Sequence, residues 1–195
     1  MLRKALLVIG NPNPVSYNHA ILDVCKKQLA LRKCSCETRD LYSLKFNPCL
    51  SADDFQTMSK KQIPRDIAEE QKWIKWSDLM ILIYPIWWAS CPAIVKGYID
   101  RVFSSGFAYH IEKDGIRPGL VGKKIVLINT YGQPKSFYYP KFENAMKIVV
   151  DEGIFEWSGM KVMKHQFFDS IQSITKEMRE GILQEIGNSI KEIQI

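Results

Sequence analysis

No segment of this 195-residue chain approaches the ~18 consecutive apolar residues that a membrane-spanning helix needs. The amino-terminal Met1-Leu-Arg-Lys4 and the five apolar residues after it are too short for a secretory signal core. A soluble, cytoplasmic protein without membrane insertion is therefore expected. Cysteine is scarce too: five residues, with no CxxC pair and no His-rich spacing beside them, exclude a disulfide framework and leave no basis for a metal site. Cys34 and Cys36 read as no more than a strand-edge pair. GxGxxG is absent, as is a phosphate-loop lysine, so neither the dinucleotide fingerprint nor the ATP-binding loop fits. Internal repeats and low-complexity linkers are also missing, and one domain spanning 1–195 is the default.

What is present is a globular composition, 46% hydrophobic and 25% charged, with a net charge of +6. That excess of base does not read as a nucleic-acid footprint, because acidic residues are interleaved with the lysines in the most charged stretches, Asp66 to Lys75 and Lys176 to Glu185. No nucleic-acid partner is expected. A basic surface would instead attract small anionic substrates.

Two unbroken apolar runs, Ala5–Ile9 and Leu79–Tyr84, have the character of parallel strands buried on both faces, and Lys124–Asn129 reads as a further strand. Glu37–Leu41 and Met160–Phe168 supply two more strands. Between them the spacing predicts helices from Ser16 to Leu31, Asp66 to Ser77, Ala93 to Ser104, Lys141 to Trp157 and Thr175 to Ile193. Ser16 caps the first of these, and Pro92 suits the first turn of the third. Tyr42 to Pro64, with turn or cap signals at Asn47-Pro48 and Ser51-Ala-Asp-Asp54, reads as a long and partly irregular excursion. Five alternations of strand and helix specify an α/β protein with a doubly wound, five-stranded parallel sheet and helices on both faces.

Ligands of such sheets bind beyond the carboxyl ends of the strands, which nominates Asn11 to Asn18, Pro85 to Cys91 and Thr130 to Pro134. The first loop enters a helix amino terminus, where amides and dipole suit a phosphate. In the second, adjacent Trp87 and Trp88 cannot both point the same way, so one is expected to pack inward while the other meets a planar ligand. The third offers backbone amides around Gly132. Read alone, Ser16 could be only a cap and the tryptophans only core or interface. His19, His110 and His165 are isolated histidines, of which His110 stands out by following Phe107-Ala-Tyr109.

Tyr84-Pro-Ile-Trp-Trp88, Pro92 with Lys96, Asp100-Arg-Val-Phe103 and Gly106-Phe-Ala-Tyr109 together resemble the NAD(P)H:quinone oxidoreductases, a family of flavodoxin-like fold that includes DT-diaphorase and ancillary reductases of potassium-efflux systems. Ser16-Tyr-Asn18, Asp40-Leu-Tyr42, Phe46-Asn-Pro48 and Asp66-Ile67 with Glu70-Gln71 agree with the same family. The resemblance implies a homodimer with two flavin sites, in which NAD(P)H reduces flavin N5 and is replaced by a quinone or similar acceptor. Asn11, Ser16, Tyr17 and Asn18 would contact the flavin phosphates, and FAD is favoured over FMN. Pro85, Ile86, Trp87, Trp88 and Ala89, with Asn129, Thr130, Tyr131 and Gly132, would surround the ring. Tyr109 and His110 would line the substrate pocket, and Tyr138 is the candidate proton relay. Asn11 stands where the family often has His. The resemblance also leaves open a flavin-binding regulatory subunit of a membrane transporter, whereas the positive charge disfavours a one-electron carrier.

Overall fold

The computed structural model describes residues 3–138 and 140–194. Its centre is a fully parallel sheet made of β1 (Lys4–Ile9), β2 (Ser35–Asp40), β3 (Leu79–Pro85), β6 (Lys124–Thr130) and β7 (Lys161–Phe168), in the order β2-β1-β3-β6-β7. Every residue of β3 is buried, which is why its sequence reads as continuous apolar character rather than alternation. Alternate residues nonetheless serve two cores. Leu6 and Val8 face α3 (Arg65–Trp76), α4 (Ala93–Val102) and α5 (Phe142–Lys147), while Ala5, Leu7 and Ile9 face α1 (Tyr17–Leu31) and α6 (Lys176–Glu192). The sheet is thus covered on both faces, as the sequence specifies.

Local chemistry sets the helix ends. The Ser16 hydroxyl accepts from His19 N, and the Thr175 hydroxyl accepts from Met178 N. Pro92 stands immediately before α4, which begins at Ala93 as the sequence reading placed it. The 42–64 excursion contains one ordered helix, α2 (Ala52–Ser59), opened by a reciprocal capping box between Ser51 and Asp54. Asp54 is buried against Arg101 of α4, whose guanidinium also meets Asp66 and the Asn47 carbonyl. Beside this anchor the chain at Pro48 lies so close to Gly97 that a Cβ there would overlap Pro48 backbone.

Two features depart from expectation. The helix foreseen over 141–157 is α5 followed by a π-helical stretch, Ile148–Glu156, in which the wider turn carries Asp151 inward. An antiparallel hairpin, β4 (Tyr109–Glu112) and β5 (Gly115–Pro118), precedes β6. All five cysteines are free thiols. Among the described residues no helix is long and apolar enough to cross a membrane.

Candidate active site

The strand order reverses between β1 and β3, and the loops after β1, β3 and β6 meet there in a cleft of about 490 Å³. This size lies within the range of small-molecule sites, roughly 300–1,000 Å³. All three nominated loops line it, and no acidic side chain does.

Asx turns build the first wall: Asn13 N donates to Asn11 Oδ1 at 2.9 Å and Val15 N to Asn13 Oδ1 at 3.0 Å. They deliver the chain to α1, whose first amides lack intrahelical partners by helix geometry. Asn18 follows, only 2% exposed. Its Oδ1 accepts from Thr130 Oγ1 at 2.8 Å, joining the first loop to the third, while its Nδ2 is buried beside the cleft without an acceptor. An amide left this way costs free energy until something accepts from it. The Tyr17 hydroxyl donates to the Arg179 carbonyl at 2.6 Å, and burial pushes its pKa up to about 12.

Pro85, Ile86 and Trp87 form the second wall. Two of this loop's amides are already engaged, Ile86 N by Thr130 O at 2.7 Å and Trp87 N by Ser90 O at 2.9 Å. The return bond from Ser90 N to Trp87 O closes a tight turn, and its two central residues, Trp88 and Ala89, have φ of +49° and +56°. That left-handed pair explains a corrected expectation. Neither tryptophan packs inward: Trp87 is 45% exposed along the cleft, and Trp88 projects wholly into solvent. Trp88 and Ala89 do not line the cleft.

Thr130, Tyr131 and Gly132 form the third wall. Asn129 does not join them. Alternation along β6 turns it to the opposite face, where it is fully buried, with Oδ1 2.6 Å from His165 Nε2 and Nδ2 donating to the Tyr84 carbonyl at 3.4 Å. Tyr131 N is engaged by Phe168 O, and its hydroxyl donates to Glu143 Oε1 at 3.0 Å. Burial first, and then the Glu143 carboxylate, raise the Tyr131 pKa. Tyr138 sits one layer behind, edge-on to Tyr131 at 5.1 Å and stacked on Phe142 at 4.4 Å.

Tyr109 and His110 are not brought to this cleft. Tyr109 packs edge-on against Trp157 at 5.1 Å, and Leu120, just past the hairpin, donates to Ser158 O. Both contacts lie just ahead of Lys161, at the amino end of the sheet. The seven residues of β3 separate the two ends by roughly 20 Å. Arg179, Gln172 and Ile171 line the cleft from beyond β7, a contribution that local sequence does not signal.

This fold and cleft define a flavodoxin-like α/β protein with an open cleft, lined by no acidic side chain among the described residues, at the switch point of its sheet. The family model described as "Flavodoxin-like fold" matches residues 3–192. An NAD(P)H oxidoreductase of Haemophilus influenzae, itself uncharacterized, is 34% identical over 92% of this chain and 90% of its own. NAD(P)H dehydrogenase [quinone] 1 of Cavia porcellus is 29% identical over 93% of this chain and 74% of its own. The solved NAD(P)H:quinone oxidoreductase of Methanothermobacter marburgensis shares the fold at a TM-score of 0.88, covering all of both chains with 22% identity. The chain belongs to the NAD(P)H:quinone oxidoreductase family of flavodoxin-like enzymes.

Proposed function

We propose that this chain is a flavin-dependent NAD(P)H oxidoreductase that holds its cofactor in the carboxyl-end cleft and passes reducing equivalents from NAD(P)H to a quinone-like acceptor. The observation that carries the reading is the buried, unpartnered Nδ2 of Asn18 in a cleft without acidic side chains. A donor that lacks an acceptor, beside a helix amino terminus, suits a phosphate oxygen. Asn11, Ser16 and Tyr17 border the same position, and Arg179 adds a cation beyond it. The cleft continues past the end of α1 to Gln172 and Arg179, which favours the longer FAD over FMN.

Bound there, a flavin supplies the hydride relay between the two substrates. The protein's part is to grip and orient. Trp87 and Ile86 offer an apolar wall for a planar ring system, and Thr130 to Gly132 face it. With Ile86, Trp87 and Tyr131 amides engaged elsewhere, backbone donation from the third loop falls to Gly132. A homodimer belongs to the proposal. Tyr109 and His110 can reach a cleft only from a second copy, and exposed Trp88, Ile148, Val149 and Trp157 offer apolar surface for the contact.

Colour and its loss provide the test. Purified protein should be yellow, bleach anaerobically with NADPH and regain colour on adding a benzoquinone. A protein that stays colourless after incubation with FAD and FMN overturns the assignment.

A further inference from the structure

His19 has no part in the roles above, yet it touches the cleft wall from behind. It lies in the first turn of α1 with Nδ1 2.9 Å from Ser16 Oγ and Nε2 3.4 Å from Asp40 Oδ2. Ser16 caps the helix and lines the cleft; Asp40 ends β2. Against the upward pull of partial burial, hydrogen bonds from Ser43 and His19 keep the Asp40 carboxyl below the usual carboxylate range. Asp40 also accepts from Tyr42 N and Ser43 N.

An ionised carboxylate only accepts, so the ring nitrogen that faces Asp40 carries a hydrogen. In the neutral ring Nδ1 is then bare and accepts a hydrogen bond from the Ser16 hydroxyl, which points that hydrogen away from the cleft. A proton added at Nδ1 reverses the bond. Nδ1–H donates to Ser16 Oγ, and the Ser16 hydroxyl is released to donate into the cleft.

We propose that His19 is a positioning residue for the phosphate end of the cofactor: when its ring is protonated it turns the Ser16 hydroxyl into a donor toward the bound nucleotide, so flavin-nucleotide binding takes up a proton. This rests on the reading of the cleft as a flavin site. By linkage, whatever binds the protonated form better binds more tightly at low pH, and the gain is lost as pH rises. Asp40 faces the imidazole from β2, with Ser43 and Tyr42 held on that carboxylate, and Asp23 is one turn along α1 on its exposed side. On the other flank of α1, Tyr17 and Arg179 are outside the window: burial pushes Tyr17 up to about 12, and an arginine guanidinium stays charged.

The test is a binding titration of the full chain, stripped of flavin, with FAD and with riboflavin from pH 5.5 to 8.5, read by flavin fluorescence. The pyrophosphate of FAD does not titrate there, whereas the phosphate monoester of FMN does, with a pKa near ~6 like other monoesters. The Kd for FAD should rise about tenfold across the range, the worth of one hydrogen bond to a charged group. Riboflavin should bind with a flat profile, and His19→Gln should flatten the FAD profile at its weaker end. Calorimetry in two buffers of different ionisation heat should show proton uptake in the wild type and none in His19→Gln. A flat wild-type FAD profile, an unchanged slope in His19→Gln, or a riboflavin profile as steep as that of FAD overturns the inference while leaving the flavin site standing. Failure of FAD to bind at any pH removes both.

Discussion

His165 and Asp151 are joined in the interior by a contact of 2.6 Å between Nδ1 and Oδ1, with the histidine side chain 1% exposed. The other ring nitrogen meets Asn129 Oδ1 at 2.6 Å, and Asn129 in turn donates to the Tyr84 carbonyl. This line of polar groups ties the π-helical stretch through the middle of β7 to the carboxyl ends of β6 and β3, directly behind two of the three cleft loops. Removing one partner of such a buried pair leaves the other uncompensated. Asp151→Leu should therefore cost about 3 kcal/mol in a urea unfolding titration, more than the usual ~1 kcal/mol of a point substitution. A loss below ~1 kcal/mol would show that the network is not structural.

Asp54 and Arg101 give the stability an acid dependence with a definite sign. The Arg101 guanidinium, opposed by burial, holds the Asp54 carboxyl below its ordinary value. A lowered folded value means that the stabilisation is present above the unfolded value, near ~3.9, and is lost as pH falls through the folded one. Wild-type Tm should fall as pH is lowered from about 5 toward 2, and Asp54→Asn should show a shallower fall from a lower starting point. Parallel curves would assign the acid sensitivity to other carboxylates.

The central strands were legible because burial on both faces makes the middle of β1, β3 and β6 a continuous apolar run, and the Ser16 cap was legible because its side chain acts locally. Long-range geometry was not. Arg179 lies more than 160 residues from Asn11, with which it shares a wall, and nothing near it marks it as cleft-lining. Asn129 was placed among the ring contacts by the family resemblance, but alternation along β6 sends it to the opposite core. The β4–β5 hairpin was missed although Lys113-Asp-Gly115 carries a turn signal, since its outward-facing Ile111 and Ile116 give no core pattern. The π-helical widening at Asp151 has no counterpart in apolar spacing.

Strain at the tip of the second loop is measurable. Two successive left-handed residues that are not glycine cost roughly 1–2 kcal/mol each. Ala89→Gly should raise stability by about 0.5–1 kcal/mol, the relief of φ less the added freedom of the unfolded chain. Chemical denaturation monitored by circular dichroism checks this, and a destabilised variant would mean that the Ala89 methyl makes a favourable contact.

Asn18→Asp separates the two duties of that side chain. Its Oδ1 accepts the Thr130 hydroxyl, and a carboxylate can do the same, so the bond between the first and third loops survives the exchange. What disappears is the orphan Nδ2 donor, replaced by an acceptor carrying negative charge beside the phosphate position. The lost charge-assisted bond is worth about 1.5–3 kcal/mol, and repulsion between like charges adds to it. FAD affinity should thus fall by about a hundredfold or more, while riboflavin, which lacks the phosphate, should lose little. Equal losses for both ligands would mean that Asn18 acts on the ring rather than on the phosphate, and unchanged FAD binding would put the nucleotide somewhere else.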